Sequence, residues 1–193
     1  MAATYQVILY NAGSDGSAAK TVITNARFHS SDSNSSDLLT PVLLDTVVRR
    51  SYWKSICVRP SGTFTQIDNF RHYFDGTLNT WTLGTAGKVN RGNRDTGDHG
   101  TAEASYELAS GTSGTTGDAI EDATNGHTFY KSQSTPVANA NNDTSASPAT
   151  ISTVAITSAG VDSKHIVLQV VTDTDGTQGV QSTKTATWKV DEI

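Results

Sequence analysis

The side chains that could do chemistry gather most densely in one loop, Arg91-Gly92-Asn93-Arg94-Asp95-Thr96-Gly97-Asp98-His99-Gly100. Carboxylates, guanidiniums and an imidazole together could ligate a metal ion or hydrogen-bond a sugar. The same residues also suit a solvated loop, because Asp and Asn bond the backbone two residues on and so stabilise turns. That plainer reading is preferred. Asp173 and Asp175 resemble the opening carboxylates of a calcium loop, but Gly176 comes too early and no Glu stands at the closing position, so a turn between strands is expected there. His29, His72, His99, His127 and His165 lie far apart, without the close spacing of a metal site.

Nucleophilic and phosphate-binding patterns are missing as well. Gly111-Thr112-Ser113-Gly114 has the wrong spacing for a nucleophile elbow, and neither a lysine nor a helix follows Gly111 to Gly117 as a phosphate loop requires. Glu121-Asp122 falls in a turn-like setting, whereas a glycosidase needs its two carboxylates on rigid elements about 5 to 10 Å apart. No enzyme, cofactor or metal centre is therefore expected. Trp53, Trp81 and Trp188 could stack on sugar rings, yet each sits in a strand-like run with apolar neighbours, where packing is the commoner role of an indole.

Composition says what kind of scaffold must hold these residues. The 193-residue chain is 35% hydrophobic and 17% charged, so Ser, Thr, Gly, Asn and Asp fill the remainder, and these favour turns and solvated strand faces over helices. A net charge of −5, with only Arg49-Arg50 and scattered lysines against it, argues against wrapping nucleic acid or an anionic membrane. Cys57 is the single cysteine and lies in the apolar run Ile56-Cys57-Val58, which predicts a buried, inert thiol and no disulfide. The amino terminus lacks a basic start before an apolar run, so synthesis and folding in the cytosol are expected.

Short strand-like runs recur between polar, Gly-containing breaks. Residues 4–10 and 20–28 flank Asn11-Ala12-Gly13-Ser14-Asp15-Gly16 as a hairpin, with Val22, Thr24, Ala26 and Phe28 on one face. Residues 30–36 read as a loop, and residues 42–48 follow Pro41 as a strand. The runs 52–59 and 63–74 hinge at Pro60-Ser61-Gly62 and end at Asp75-Gly76; the uneven spacing of Phe64, Ile67, Phe70 and Tyr73 predicts a bulge or an edge position. Further strands are expected at 81–83, 101–108, 127–131, 151–157, 165–172 and 183–190, the last two joined as a hairpin. Only residues 42–50 and 117–123 could pass for helix. Residues 84–100, 110–126 and 132–149 are expected to be long polar loops that present surface to partners. The expected fold is all-β, one domain over residues 1–193, an antiparallel β-sandwich of jelly-roll type.

A resemblance adds to this reading. In residues 55–76 a strand leads to Ser61-Gly62-Thr63 and then to Ile67-Asp68-Asn69-Phe70-Arg71-His72-Tyr73-Phe74-Asp75-Gly76, which resembles a segment of tailed-phage and prophage virion proteins. Thr185-Ala186-Thr187-Trp188-Lys189-Val190-Asp191-Glu192-Ile193 is similar to a strand of the same group. The resemblance implies a bacteriophage virion structural protein on the capsid surface, a decoration or cement protein that clamps the major capsid protein or other virion proteins, as a homo-oligomer such as a trimer. A neck, tail or fibre-attachment protein is the alternative within that class, and a carbohydrate-binding module the alternative outside it. For partner contacts the expected residues are Tyr5, Val7 and Leu9 on the first strand, with Arg91 and Arg94 facing an acidic capsid surface.

Overall fold

The structure, a computed structural model, describes residues 2–33, 40–74 and 78–193. The expected turn at Asp75-Gly76 and the end of the polar stretch 30–36 lie outside the described residues. In chain order the strands are β1 (Thr4–Ser14), β2 (Ser17–Ile23), β3 (Arg49–Arg50), β4 (Lys54–Ser61), β5 (Ile67–Phe74) and β6 (Lys88–Gly92). They continue with β7 (Gly111–Thr112), β8 (Thr116–Gly117), β9 (Val137–Asn139), β10 (Ala149–Ser152), β11 (Ile166–Thr172) and β12 (Ala186–Glu192). A single helical turn, α1, spans Thr128–Lys131. Every strand pair is antiparallel, and the chain is predominantly β.

β11 shows most directly how sequence becomes architecture. Its residues, Ile-Val-Leu-Gln-Val-Val-Thr, are mostly β-branched and apolar without polar alternation, the pattern of a strand buried on both faces. All of them are buried. β11 lies inside the large sheet, whose order is β2-β1-β4-β11-β6-β9, with β3 also paired to β11. A smaller sheet has the order β10-β5-β12. Ile166, Leu168 and Val170 of β11 share one apolar cluster with Leu9, Ile56 and Val89 of the large sheet and with Ile67, Phe70, Phe74 and Ile151 of the small one. Val167 points to the opposite face, where it joins Trp53, Ile120 and Tyr130.

The first hairpin forms where expected, but its second strand starts earlier, at Ser17, and stops at Ile23. The shared face expected for Val22 and Phe28 does not form: Val22 is 55% exposed, while Ile23 packs on the core cluster. The runs hinged at Pro60-Ser61-Gly62 belong to different sheets. β4 pairs with β1 and β11, whereas β5 pairs with β10 and β12, and Gly62 makes the crossing at φ 88°. β11 and β12 likewise part into separate sheets instead of closing a hairpin. The irregular spacing in β5 is a bulge: Asn69 takes φ 49°, and the β12 register slips between Lys189 and Asp191, which brings Phe70, His72 and Phe74 to the buried face. β5 is the central strand of its sheet and not an edge.

The three long polar segments are not free surface loops. β6 lies in the first, the β7–β8 pair in the second and β9 in the third, and Ile120 and Tyr130 from this region are fully buried. Runs 81–83, 101–108 and 127–131 are not strands, and neither 42–50 nor 117–123 is helical. Local propensity there yields to burial against the large sheet. At Gly92 the Tyr130 ring approaches so closely that a Cβ would stand 2.6 Å away. Gln169 ties this outer layer down: its amide donates to the carbonyls of Ser51 at 2.8 Å and Asp118 at 2.7 Å, and accepts from the Ile120 N–H at 3.3 Å.

Replacing Gln169 with Leu keeps the volume but removes all three bonds. The expected loss of stability in urea denaturation is at least about 2 kcal/mol, because buried carbonyls and an N–H go unpaired. A loss below about 0.5 kcal/mol would remove Gln169 as the tie between the layers.

Candidate functional site

The residues expected to meet a partner do not form one surface. β1 is paired on both sides, by β2 and β4, so it offers no free edge. Leu9 is 1% exposed and sits in the core, Val7 packs half-buried against it, and Tyr5 is exposed with its hydroxyl donating to Glu192 at 2.9 Å. Arg91 is 4% exposed. It donates from Nε to Asp143 Oδ2 at 2.7 Å and from Nη2 to Oδ1 at 3.2 Å, a buried two-point ion pair that fastens β6 to the segment after β9. Arg94 is half-buried, its guanidinium 4.8 Å from the Phe129 ring centre. Arg91 was expected outside because an arginine in a polar, Gly-rich run reads as solvated; only the distant Asp143 makes its burial possible.

The remaining loop chemistry is also internal. Asp95 accepts from the Ser134 N–H at 2.9 Å, and Asp98 accepts from Lys164 at 3.2 Å and from the Thr153 hydroxyl at 3.2 Å. Asp175 accepts from the Thr85 N–H at 2.8 Å and Asp173 from the Ala86 N–H at 2.9 Å, so both carboxylates brace the neighbouring turn. Among the described residues no cluster of three or more His, Cys, Asp or Glu side chains is arranged to hold a metal ion. Trp53 is buried with its indole N–H on the Glu107 carbonyl at 3.1 Å, Trp81 donates to the Ser182 carbonyl at 2.7 Å, and Trp188 packs edge-on to His72.

A surface groove of about 490 Å³ runs beside Lys20 and is lined by Tyr10, Glu103, Val154, Asp162 and Lys164. Asp162 is its organising group. It accepts from the Tyr10 hydroxyl at 2.8 Å and from Arg59 at 2.7 and 3.0 Å, and pairs with Lys20 at 3.0 Å. Burial pushes the Asp162 carboxyl up, but the bonds from Arg59, Lys20 and Tyr10 outweigh it and hold the group below its ordinary range. Nearby Cys57 is buried and pushed up to about 12, chiefly by burial, so its thiol stays protonated. The groove's carboxylate is therefore a cross-link and not a free acid or base. Nothing in the sequence marks it, since Asp162 stands 152 residues from Tyr10.

The small sheet presents a different surface. Its outward side chains include Asp68 and Arg71 of β5 and Lys189 and Asp191 of β12, all at least partly exposed. Asp191 pairs with Arg71 and accepts from Asn69 at 2.9 Å. β12 ends this sheet, so no strand among the described residues pairs with its far side. An exposed strand edge beside a charged face is a surface that another extended chain can join.

Histidine burial makes stability pH-dependent. Burial drives His72 and His165 down to about 3 and His127 down to about 4, each from an ordinary value of 6.5. Below pH 6.5 the unfolded chain binds protons that the folded chain refuses, so stability falls with pH from about 6.5 to 4, each group adding a slope of up to about 1.4 kcal/mol per unit. Melting temperature measured across that window should drop steadily; a flat profile would show that the histidines are solvated. For Arg91→Ala the expected cost is about 3–5 kcal/mol, because Asp143 is left buried and unpaired. Arg94→Ala should cost about 1 kcal/mol or less, the scale of an accessible cation–π contact. Equal losses in chemical denaturation would contradict the assignment of Arg91 to the interior.

No protein family, curated protein or solved structure matches this chain.

Proposed function

We propose that this chain is a structural component of a tailed-phage virion, a capsid decoration or cement protein that binds the assembled shell. One observation carries the reading: the two stretches that resemble virion proteins, far apart in sequence, are neighbouring strands. β5 and β12 pair from Ala186 opposite Phe74 to Glu192 opposite Ile67, and Arg71 meets Asp191 across 120 residues. Two short likenesses that fold into one unit support a common origin more strongly than either alone.

The two sheets over their shared apolar cluster are read as a jelly-roll-like β-sandwich. The open edge of β12 and the charged face beside it are the contact surface, in place of β1 and Arg91. An extended segment of the major capsid protein, or of another virion protein, adds to that edge through backbone hydrogen bonds and is selected by the charges on the adjoining face. Binding only to the assembled lattice stabilises that lattice by mass action. Several copies of the chain associate, a trimer at a threefold position being the arrangement that fits such a shell. The sugar-binding alternative gains no support, since each tryptophan is engaged in packing or a hydrogen bond to the backbone.

Cryo-electron microscopy of particles that encode this chain tests the proposal. Hundreds of copies on the icosahedral shell, with β12 at the contact, are expected. A ring of a few copies would place the protein at the neck or tail, and absence from every particle would overturn the virion reading.

A further inference from the structure

On the face of β11 turned away from the small sheet, a separate cleft holds polar atoms that lack hydrogen-bond partners. β11 pairs with β3 and β6 so that Arg50, Val171 and Lys88 stand in one cross-strand row. Asn90, two residues on from Lys88, faces the same side. These residues line a cleft of about 170 Å³, closed in part by Glu121 from the overlying layer and walled by Val48 and Val171. Its second carboxylate, Asp173, is held by the Ala86 N–H at 2.9 Å and the Thr174 N–H at 2.8 Å, but in contrast to the groove at Asp162 three of its polar atoms are not satisfied. Arg50 Nε, Asn90 Oδ1 and Glu121 Oε2 are buried without a hydrogen-bond partner, and Asn90 is only 2% exposed. Buried groups of this kind ordinarily find partners, because each one left unmade costs about 1–3 kcal/mol.

The character of the orphaned atoms restricts what would complete them. A simple anion would suit Arg50 and Lys88 but would be set against the Glu121 carboxylate. A simple cation would suit Glu121 and Asn90 Oδ1 but would be repelled by the two basic side chains. A neutral apolar molecule would leave all of them unpaired. A small molecule with a carboxylate and an ammonium on neighbouring atoms satisfies both sets, its carboxylate on Arg50 and Lys88 and its ammonium on Glu121 and Asn90. The cleft volume leaves room for a short side chain against Val48 and Val171.

The geometry points to a binding site for a small zwitterionic α-amino acid, its carboxylate met by Arg50 from β3 and Lys88 from β6 and its ammonium by Glu121 and Asn90. The site is independent of the virion reading and stands or falls alone.

Amide NMR titration of the full chain with glycine, L-alanine and L-serine provides the test, with acetate and ethylamine as the two separate halves and glucose as a neutral hydroxylated control. At millimolar concentration at least one of the amino acids should shift the resonances of Arg50, Lys88, Asn90 and Glu121, while acetate, ethylamine and glucose leave them in place. Arg50→Gln and Glu121→Gln should each weaken the response by about tenfold or more, the loss of one charge-assisted contact. Lys88→Gln, at an exposed position, supplies the same comparison should either of those variants fold poorly. No shift with any of the three amino acids overturns the proposal, as does an equal response to acetate alone or to glucose, or binding that survives the substitutions.

Discussion

Burial of β11 on both faces is the constraint from which the rest of this structure follows. A strand with Ile166, Leu168 and Val170 on one side and Val167, Gln169 and Val171 on the other cannot leave either side to water. The small sheet covers the first side, with Ile67, Phe70, Phe74 and Ile151 in the shared cluster. No second large sheet covers the other side, so the polar-looking segments between β6 and β10, the β7–β8 pair among them, lie down on it, with Ile120 and Tyr130 as their apolar anchors. Gln169 is the cost of that arrangement and also its solution. A loop laid on a sheet brings backbone N–H and carbonyl groups into the interior, and one amide side chain satisfies two of the loop's, at Asp118 and Ile120, together with the Ser51 carbonyl before β4.

The same logic accounts for where the charge goes. Carboxylates and cations that would read as reagents in a sequence are used here to join segments distant along the chain. Asp143 holds Arg91, Asp162 gathers Tyr10, Lys20 and Arg59, and Asp98 holds Lys164. With one cysteine and no disulfide, these ties and the buried aromatic clusters hold the irregular segments in place. They also couple stability to protonation, since buried histidines such as His72, set between Phe74 and Trp188, have no room for a charge. Polar surface left uncommitted is found at the β12 edge and in the cleft between Arg50 and Glu121.

Much of the strand content was legible from local pattern. β1, β4, β5 and β11 lie close to their expected positions because β-branched and aromatic runs between turn residues need no distant information to be recognised. The bulge in β5 was likewise visible in the broken alternation of Ile67, Phe70 and Tyr73. Failures have a common cause. Residues 101–108 and 127–131 carry strand-like composition but are held by burial over the large sheet, and β6 and β9 sit in stretches whose composition suggests loops. Leu9 and Arg91 are buried where the local sequence suggests surface, because a side chain's exposure depends on partners that are remote in sequence.

The sequence by itself determined the β class, the inert buried thiol, the first hairpin and the lack of a recognisable catalytic pattern, all of which rest on composition and on interactions between near neighbours. Only the tertiary structure decided that Gly62 marks a passage between sheets and not a turn within one, that β5 meets β12, and that Asp143 and Asp162 are interior ties. The physical reason is range. Propensity and turn chemistry act over a few residues, whereas strand pairing and charge burial depend on groups such as Asp143, 52 positions from Arg91, and Asp162, 152 positions from Tyr10, whose proximity follows from closing the core around β11.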